Sequence, residues 1–172
     1  MRDREAITSR RLRTRRTIPA AYVLAGGLLA GTLDLVFAMV FWALKADVSA
    51  LQILQGVASG LSGPAAFQGG LSTAGIGLAL HYGIALTMAI AYFLAVRRVP
   101  ALWQRPVRTG CVYGLALYVI MNQLVVPLSA AAPGSTDPTW IASNVVVHVV
   151  LIGIPIAVFV RLAIMEGRSR KS

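Results

Sequence analysis

Four stretches of the chain, about residues 20–44, 72–96, 107–129 and 140–164, carry apolar residues through six or more helical turns. A bilayer core about 30 Å thick takes roughly 20 residues of helix at 1.5 Å per residue, so each stretch predicts a transmembrane span. Four soluble core helices of that length would leave too little polar surface on a chain of 172 residues. Between the first two spans the pattern changes. Gln52, Gln55, Ser59 and Ser62 fall on one helical face, with Ala50, Ile53, Leu54, Val57 and Leu61 opposite. This predicts a short amphipathic helix, about residues 48–62, lying on the outer membrane surface. Asp47 or Ser49 would cap its start and Gly63-Pro64 would end it. Its polar face carries no Lys or Arg, so attraction to anionic lipid is not its purpose. A re-entrant hairpin is the alternative, since Gly56, Gly60, Gly63, Gly69 and Gly70 permit close packing inside the protein. The two later connections span ten or so residues and make their helices antiparallel neighbours. The expected fold is all-α: a polytopic, up-down transmembrane four-helix bundle.

Composition agrees. The chain is 57% hydrophobic and 13% charged, about half the usual share of charge, which excludes most soluble enzymes and disordered proteins. One cysteine, Cys111, excludes a disulfide scaffold and reads as a small core residue. The net charge of +10 becomes informative once mapped. Seven arginines lie in residues 1–17; Arg97, Arg98, Arg105 and Arg108 lie between spans two and three; Arg161, Arg168, Arg170 and Lys171 lie at the C-terminal end. Only Lys45 falls on the other side. A bias of fifteen to one predicts that both termini are cytoplasmic. Residues 1–19 and 165–172 are then basic cytoplasmic tails flanking a transmembrane domain, residues 20–164. Trp42 and Trp140 should sit at the outer surface, and Tyr22, Tyr92 and Trp103 near the inner one. Ser9-Arg10-Arg11 is a faint twin-arginine pattern, but the apolar run behind it exceeds a signal-peptide core. The basic tail lacks the interleaved aromatics of a nucleic-acid binder, so its expected partner is the lipid bilayer.

Five residues inside the spans stand out as acid, imidazole or amide: Asp34, His81, Asn122, Asn144 and His148. Counted inward, Asp34, His81, Asn122 and His148 fall roughly 10–15 Å below the outer boundary. Asp34 is the sharpest, because an acid at the centre of a span costs about 2.5–3.5 kcal/mol to insert. It must pair, face a wet cavity or carry its proton. Its face is small, with Gly27, Gly31 and Ala38, so another helix can approach closely. His81 shares a stripe with Ala74, Gly77, Ala85 and Met88, and Asn144 and His148 stand one turn apart. Gly110 and Gly114 offer a third packing face. Pro155 should leave the Leu151 carbonyl without its helical donor. The faces can converge on one polar layer, or the same residues can serve as hydrogen-bond glue between helices. No catalytic motif is present, so enzymatic activity is not expected. Asp34, His81 and His148, spread over three helices, are a weak metal signal, and no metal is expected.

Gly31-Thr-Leu-Asp34, Leu54-Gln-Gly-Val-Ala-Ser-Gly60, Ala66-Phe-Gln-Gly-Gly70, Met121-Asn122 and Val126-Pro-Leu-Ser129 carry a resemblance. Over about residues 20–164 the chain resembles a family of uncharacterised small bacterial inner-membrane proteins. More loosely, spans two to four are similar to YagU-type membrane proteins. The resemblance implies four spans and an inner-membrane location, and assigns no activity. The residues themselves suggest a small transport or ion- and proton-coupling component with Asp34 as its site and the histidines as relays. Two alternatives are a bis-histidine haem b protein using His81 and His148, and a non-catalytic accessory subunit. Four helices enclose little space, so a conducting path calls for a homo-oligomer.

Overall fold

A computed structural model describes the backbone of residues 2–169 and the side chains of residues 19–169. The side chains of the N-terminal arginines, together with Arg170 and Lys171, lie outside the described residues. Five helices and no strand occur among those described: α1 (Arg2–Ala46), α2 (Ala50–Ser62), α3 (Gly70–Arg98), α4 (Pro106–Leu128) and α5 (Pro138–Ser169). Four helical segments, Pro19–Ala46 of α1 and the whole of α3, α4 and α5, are long and apolar enough to cross a membrane. The architecture is that of a multi-pass, helical-bundle membrane protein.

Local chemistry sets the helix ends. Pro106 and Pro138 stand in first turns, where a missing N–H costs nothing. Asp137 caps α5 by accepting from the Trp140 N–H at 3.0 Å. At α2 the cap is Ser49, in a reciprocal box with Gln52: its hydroxyl accepts from Gln52 N–H, and Gln52 Oε1 accepts from Ser49 N–H at 2.9 Å. Gly63 ends α2 at φ 60°, a left-handed conformation that favours glycine, and a short 3₁₀ turn, Gly63–Gln68, leads to α3.

Small residues let the long helices approach. Adjacent positions of α1 serve two partners. Gly27 and Gly31 meet Ala85 and Ala89 of α3, whereas Gly26 accommodates Phe159 of α5 and Ala30 is fully buried. The α4–α5 crossing rests on three glycines, for Gly110 and Gly114 pack against the α5 backbone at Gly153, His148 and Val149. Helix α5 is central, contacting α1, α3 and α4. It gives the core Ile156, Ala157 and Val160, which pack with Val23, Ala89 and Val96.

Both prolines inside spans are preceded by a widened helical turn. Met121–Val125 and His148–Gly153 are π turns, just before Pro127 and Pro155. There the backbone bonds reach five residues back, from Val126 N–H to Met121 O and from Ile154 N–H to Val149 O. The break expected at Pro155 is therefore absorbed upstream of the ring, where widening relieves its pressure on the preceding turn.

Helix α2 packs on the protein along Gln55, Ala58 and Ser59. Gln55 and Ser59, of the polar face, are 3% and 4% exposed, while Gln52 and Ser62 of that face are exposed. Of the opposite face, Ile53, Leu54 and Val57 are half-buried and Leu61 is 67% exposed. Gln55 Nε2 donates to Gly70 O at 3.2 Å, Ser59 Oγ to Gly56 O at 2.7 Å, and Gly77 of α3 lies directly against the Leu54 carbonyl. The end of α4 is tied to α2 as well, by Ala130 N–H donating to Gly60 O at 3.0 Å.

The two ends of the bundle differ. At one, Arg97 and Arg98 close α3 and Arg105 and Arg108 open α4, and Arg168 stacks over Trp103 at 4.7 Å. Here α3 and α4 are pinned together. Tyr92 OH bonds Thr109 Oγ1 at 2.8 Å and Tyr113 OH donates to Met88 O at 2.7 Å. At the opposite end Lys45 pairs with Asp137 at 2.6 Å, above a cluster of Phe37, Phe41, Trp42 and Trp140 whose ring centroids stand 5.0–5.9 Å apart. The sequence reading passed over this pair.

Candidate functional site

The cluster around Asp34 is assembled by helices α1, α3 and α5. Gly31 and Gly27 bring α3 close, which places His81 against α1. Its Nε2 lies 2.8 Å from Gly31 O, three residues before Asp34 on the same helix. One residue further along each helix, Thr32 Oγ1 and Tyr82 OH are 2.9 Å apart, a second bond between the same two helices. From the other side α5 brings His148, which is 7% exposed. Its Nδ1 lies 3.0 Å from Asn144 O, one turn back, and its ring stands edge-on to Tyr118 of α4 at 5.6 Å. The half-buried Asp34 carboxyl is within charge-interaction range of both imidazoles. Among the described residues it makes no hydrogen bond and no ion pair.

Hydrogen-bond chemistry fixes the ring tautomers. A carbonyl can only accept, so Nε2 of His81 and Nδ1 of His148 carry the protons. In the neutral rings Nδ1 of His81 and Nε2 of His148 are then free acceptors. Asn144 Oδ1, one turn from His148, is buried with no partner. The ionised carboxyl of Asp34 is an acceptor as well. The cluster thus gathers acceptors from three helices, beside the Asn144 amide and the Tyr118 hydroxyl as donors.

The other predicted residues divide. Asn122 bonds within its own helix, Nδ2 donating to Tyr118 O at 3.0 Å, inside the π turn of α4. Gly27 and Gly31 pack α1 on α3 beside the cluster, and Gly110 and Gly114 pack α4 on α5. Gly77 packs α3 on α2 rather than on another span. Cys111 is half-buried, nearer the arginine end. Among the described residues no group of three His, Cys, Asp or Glu is arranged to hold a metal ion. Sequence reading missed Gly26, Gly153 and the Lys45–Asp137 pair, and saw Gln55 only as one residue of an amphipathic face. For Gly153 the neighbouring Pro155 was a usable signal, because a π turn and a close helix crossing coincide there. No protein family, curated protein or solved structure matches the chain.

Proposed function

We propose that the chain is a small transport or ion-coupling component of a bacterial inner membrane, with Asp34 as the proton or cation site and His81 and His148 as its relays. The observation that carries this reading is an intramembrane carboxyl in charge range of two imidazoles from two other helices, beside a buried Asn144 oxygen without a partner. The arginine distribution supports cytoplasmic termini, and four helices long and apolar enough to cross a membrane support an integral membrane protein. In this reading the neutral histidines accept a proton on their free ring nitrogens and pass it to and from Asp34.

The test is proton flux into proteoliposomes that hold a pH-sensitive dye, under an imposed proton gradient. The parent should acidify the lumen faster than empty vesicles. Asp34→Asn should abolish the difference while the protein keeps its helical content and melting temperature. His148→Gln should slow flux and displace its pH profile. Parent flux equal to that of empty vesicles removes the proposal for protons. An identical null result with sodium and potassium gradients removes it for cations.

The accessory-subunit reading is favoured by one observation: Asn122 and both histidines bond backbone carbonyls, as structural polar groups do. It predicts that Asp34→Asn changes stability or assembly and leaves flux alone. The haem reading gains nothing from the geometry. Nε2 of His81 is engaged with Gly31, and the large groove between α3 and α4 is lined by neither histidine.

A further inference from the structure

Apart from the Asp34 cluster, the molecule carries a concave feature between α3 and α4. Helices α3 and α4 are pinned by Tyr92, Tyr113 and Thr109 near the arginine end and bridged by α2 at the other. Between these ties they enclose a groove of about 850 Å³. Its walls include Ile76, Gly83 and Ala91 of α3 and Tyr113, Leu117 and Val125 of α4.

The lining selects hydrocarbon over a polar solute. Its polar side chains are internally satisfied: Thr87 Oγ1 donates to Gly83 O at 2.8 Å and Tyr113 OH donates to Met88 O at 2.7 Å. A polar ligand would lose its hydration there and gain no partner. The groove runs from Ile76 to Ala91, roughly 22 Å of helix, a length along which an extended acyl chain lies.

Charge decides which lipid. Arg97, Arg98, Arg105 and Arg108 lie at the end of α3 and the start of α4, beyond the pinned end of the groove, all exposed, and no acid lies between positions 97 and 108. None of the four is ion-paired among the described residues. Arg97 lies six residues beyond Ala91, and Arg108 five residues before Tyr113. The groove floor is thus separated from the guanidinium groups by roughly 8–9 Å along either helix. A lipid with its tail in the groove brings its phosphate to that level.

We propose that the α3–α4 groove is a binding site for an anionic phospholipid, with an acyl chain along Gly83 and the headgroup held by Arg97, Arg98, Arg105 and Arg108. The site is separate from the Asp34 cluster. The test uses the full chain, delipidated in mild detergent, with phosphatidylglycerol or phosphatidylcholine added while thermal unfolding is followed. Phosphatidylglycerol should raise the melting temperature by more than phosphatidylcholine does. A Cβ at Gly83 meets nothing within 4 Å, so Gly83→Leu should fill the groove without disturbing the fold. That variant should keep the lipid-free melting temperature and lose the phosphatidylglycerol shift. Replacing the four arginines by Gln should reduce that shift to the phosphatidylcholine level. Equal shifts for both lipids in the parent overturn the proposal. So does a lipid response that survives in Gly83→Leu. If Gly83→Leu instead turns a dimer into a monomer with the lipid response intact, another helix covers the groove and the assignment to lipid is wrong.

Discussion

At the scale of single residues, glycine positions discriminate most sharply. A methyl group at Gly114 would run into the His148 carbonyl and stand 2.7 Å from Val149 Cα, whereas one at Gly75 meets nothing within 4 Å. Gly114→Ala should therefore destabilise the protein by about 1–3 kcal/mol through overpacking. Gly75→Ala should be neutral or stabilising by up to about 1 kcal/mol, as expected for Ala over Gly within a helix. Unfolding of the two variants in the same detergent checks the contrast. Gly114→Ala should also disturb the His148 ring, because it displaces the turn that holds the ring, and the histidine NMR resonances would report this. The polar residues of the cluster were legible in the sequence because a titratable group in an apolar run stands out and its depth can be counted. Counting could not tell that Asn122 turns back on its own helix while His81 and His148 come within charge-interaction range of the same carboxyl. That depends on how each helix is rotated about its axis. The free Asn144 oxygen was invisible for the same reason.

At the scale of elements, the four apolar helices followed directly from the length of their apolar runs. Helix α2 was recognised, with Ser49 as its cap and Gly63 as its end, but which of its residues meet the protein was not. The amphipathic pattern says that two faces have different neighbours and leaves open which face meets the protein. On a water-covered surface the polar face turns outward. Packed onto α3 beside the glycine backbone of residues 69–70, Gln55 instead finds a carbonyl to bond. Gln55→Leu removes a buried hydrogen bond and leaves Gly70 O without that donor. It should lower stability by about 1–3 kcal/mol, while Leu61→Ala, at an exposed position, should change it little. Denaturant midpoints of the two variants, compared at equal helical content, test the assignment of faces.

At the scale of the whole molecule, charge was easier to read than pairing. The segregation of arginines was evident from the sequence, whereas the partnership of Lys45 and Asp137 joins positions 92 residues apart and needs the α1–α5 packing to be seen. The hydrogen bond from Lys45, with that from the Trp140 N–H, holds the Asp137 carboxyl below its ordinary value of 3.8. A depressed acid contributes stability in full above its unfolded value, and the contribution fades as pH falls through the lower folded value. The melting temperature should therefore fall below about pH 4 by an increment that Lys45→Gln reduces. A pH series of thermal melts of parent and variant measures it. The pair lies at the rim of the bundle, so salt should weaken it too.

The place of α5 bears on the order in which the molecule comes into being. Asp34 belongs to the first span and His148 to the last, 114 residues later in the chain. At roughly 5–20 residues per second of synthesis, the carboxyl waits about 6–23 s between its own emergence and that of His148. His81 emerges first, with the Gly27 and Gly31 face already available to receive α3. For the rest of that interval the acid has one imidazole neighbour and no closed bundle, so the nascent chain passes through a stage in which its most polar intramembrane residue faces the membrane or the insertion machinery on the side that α5 later covers.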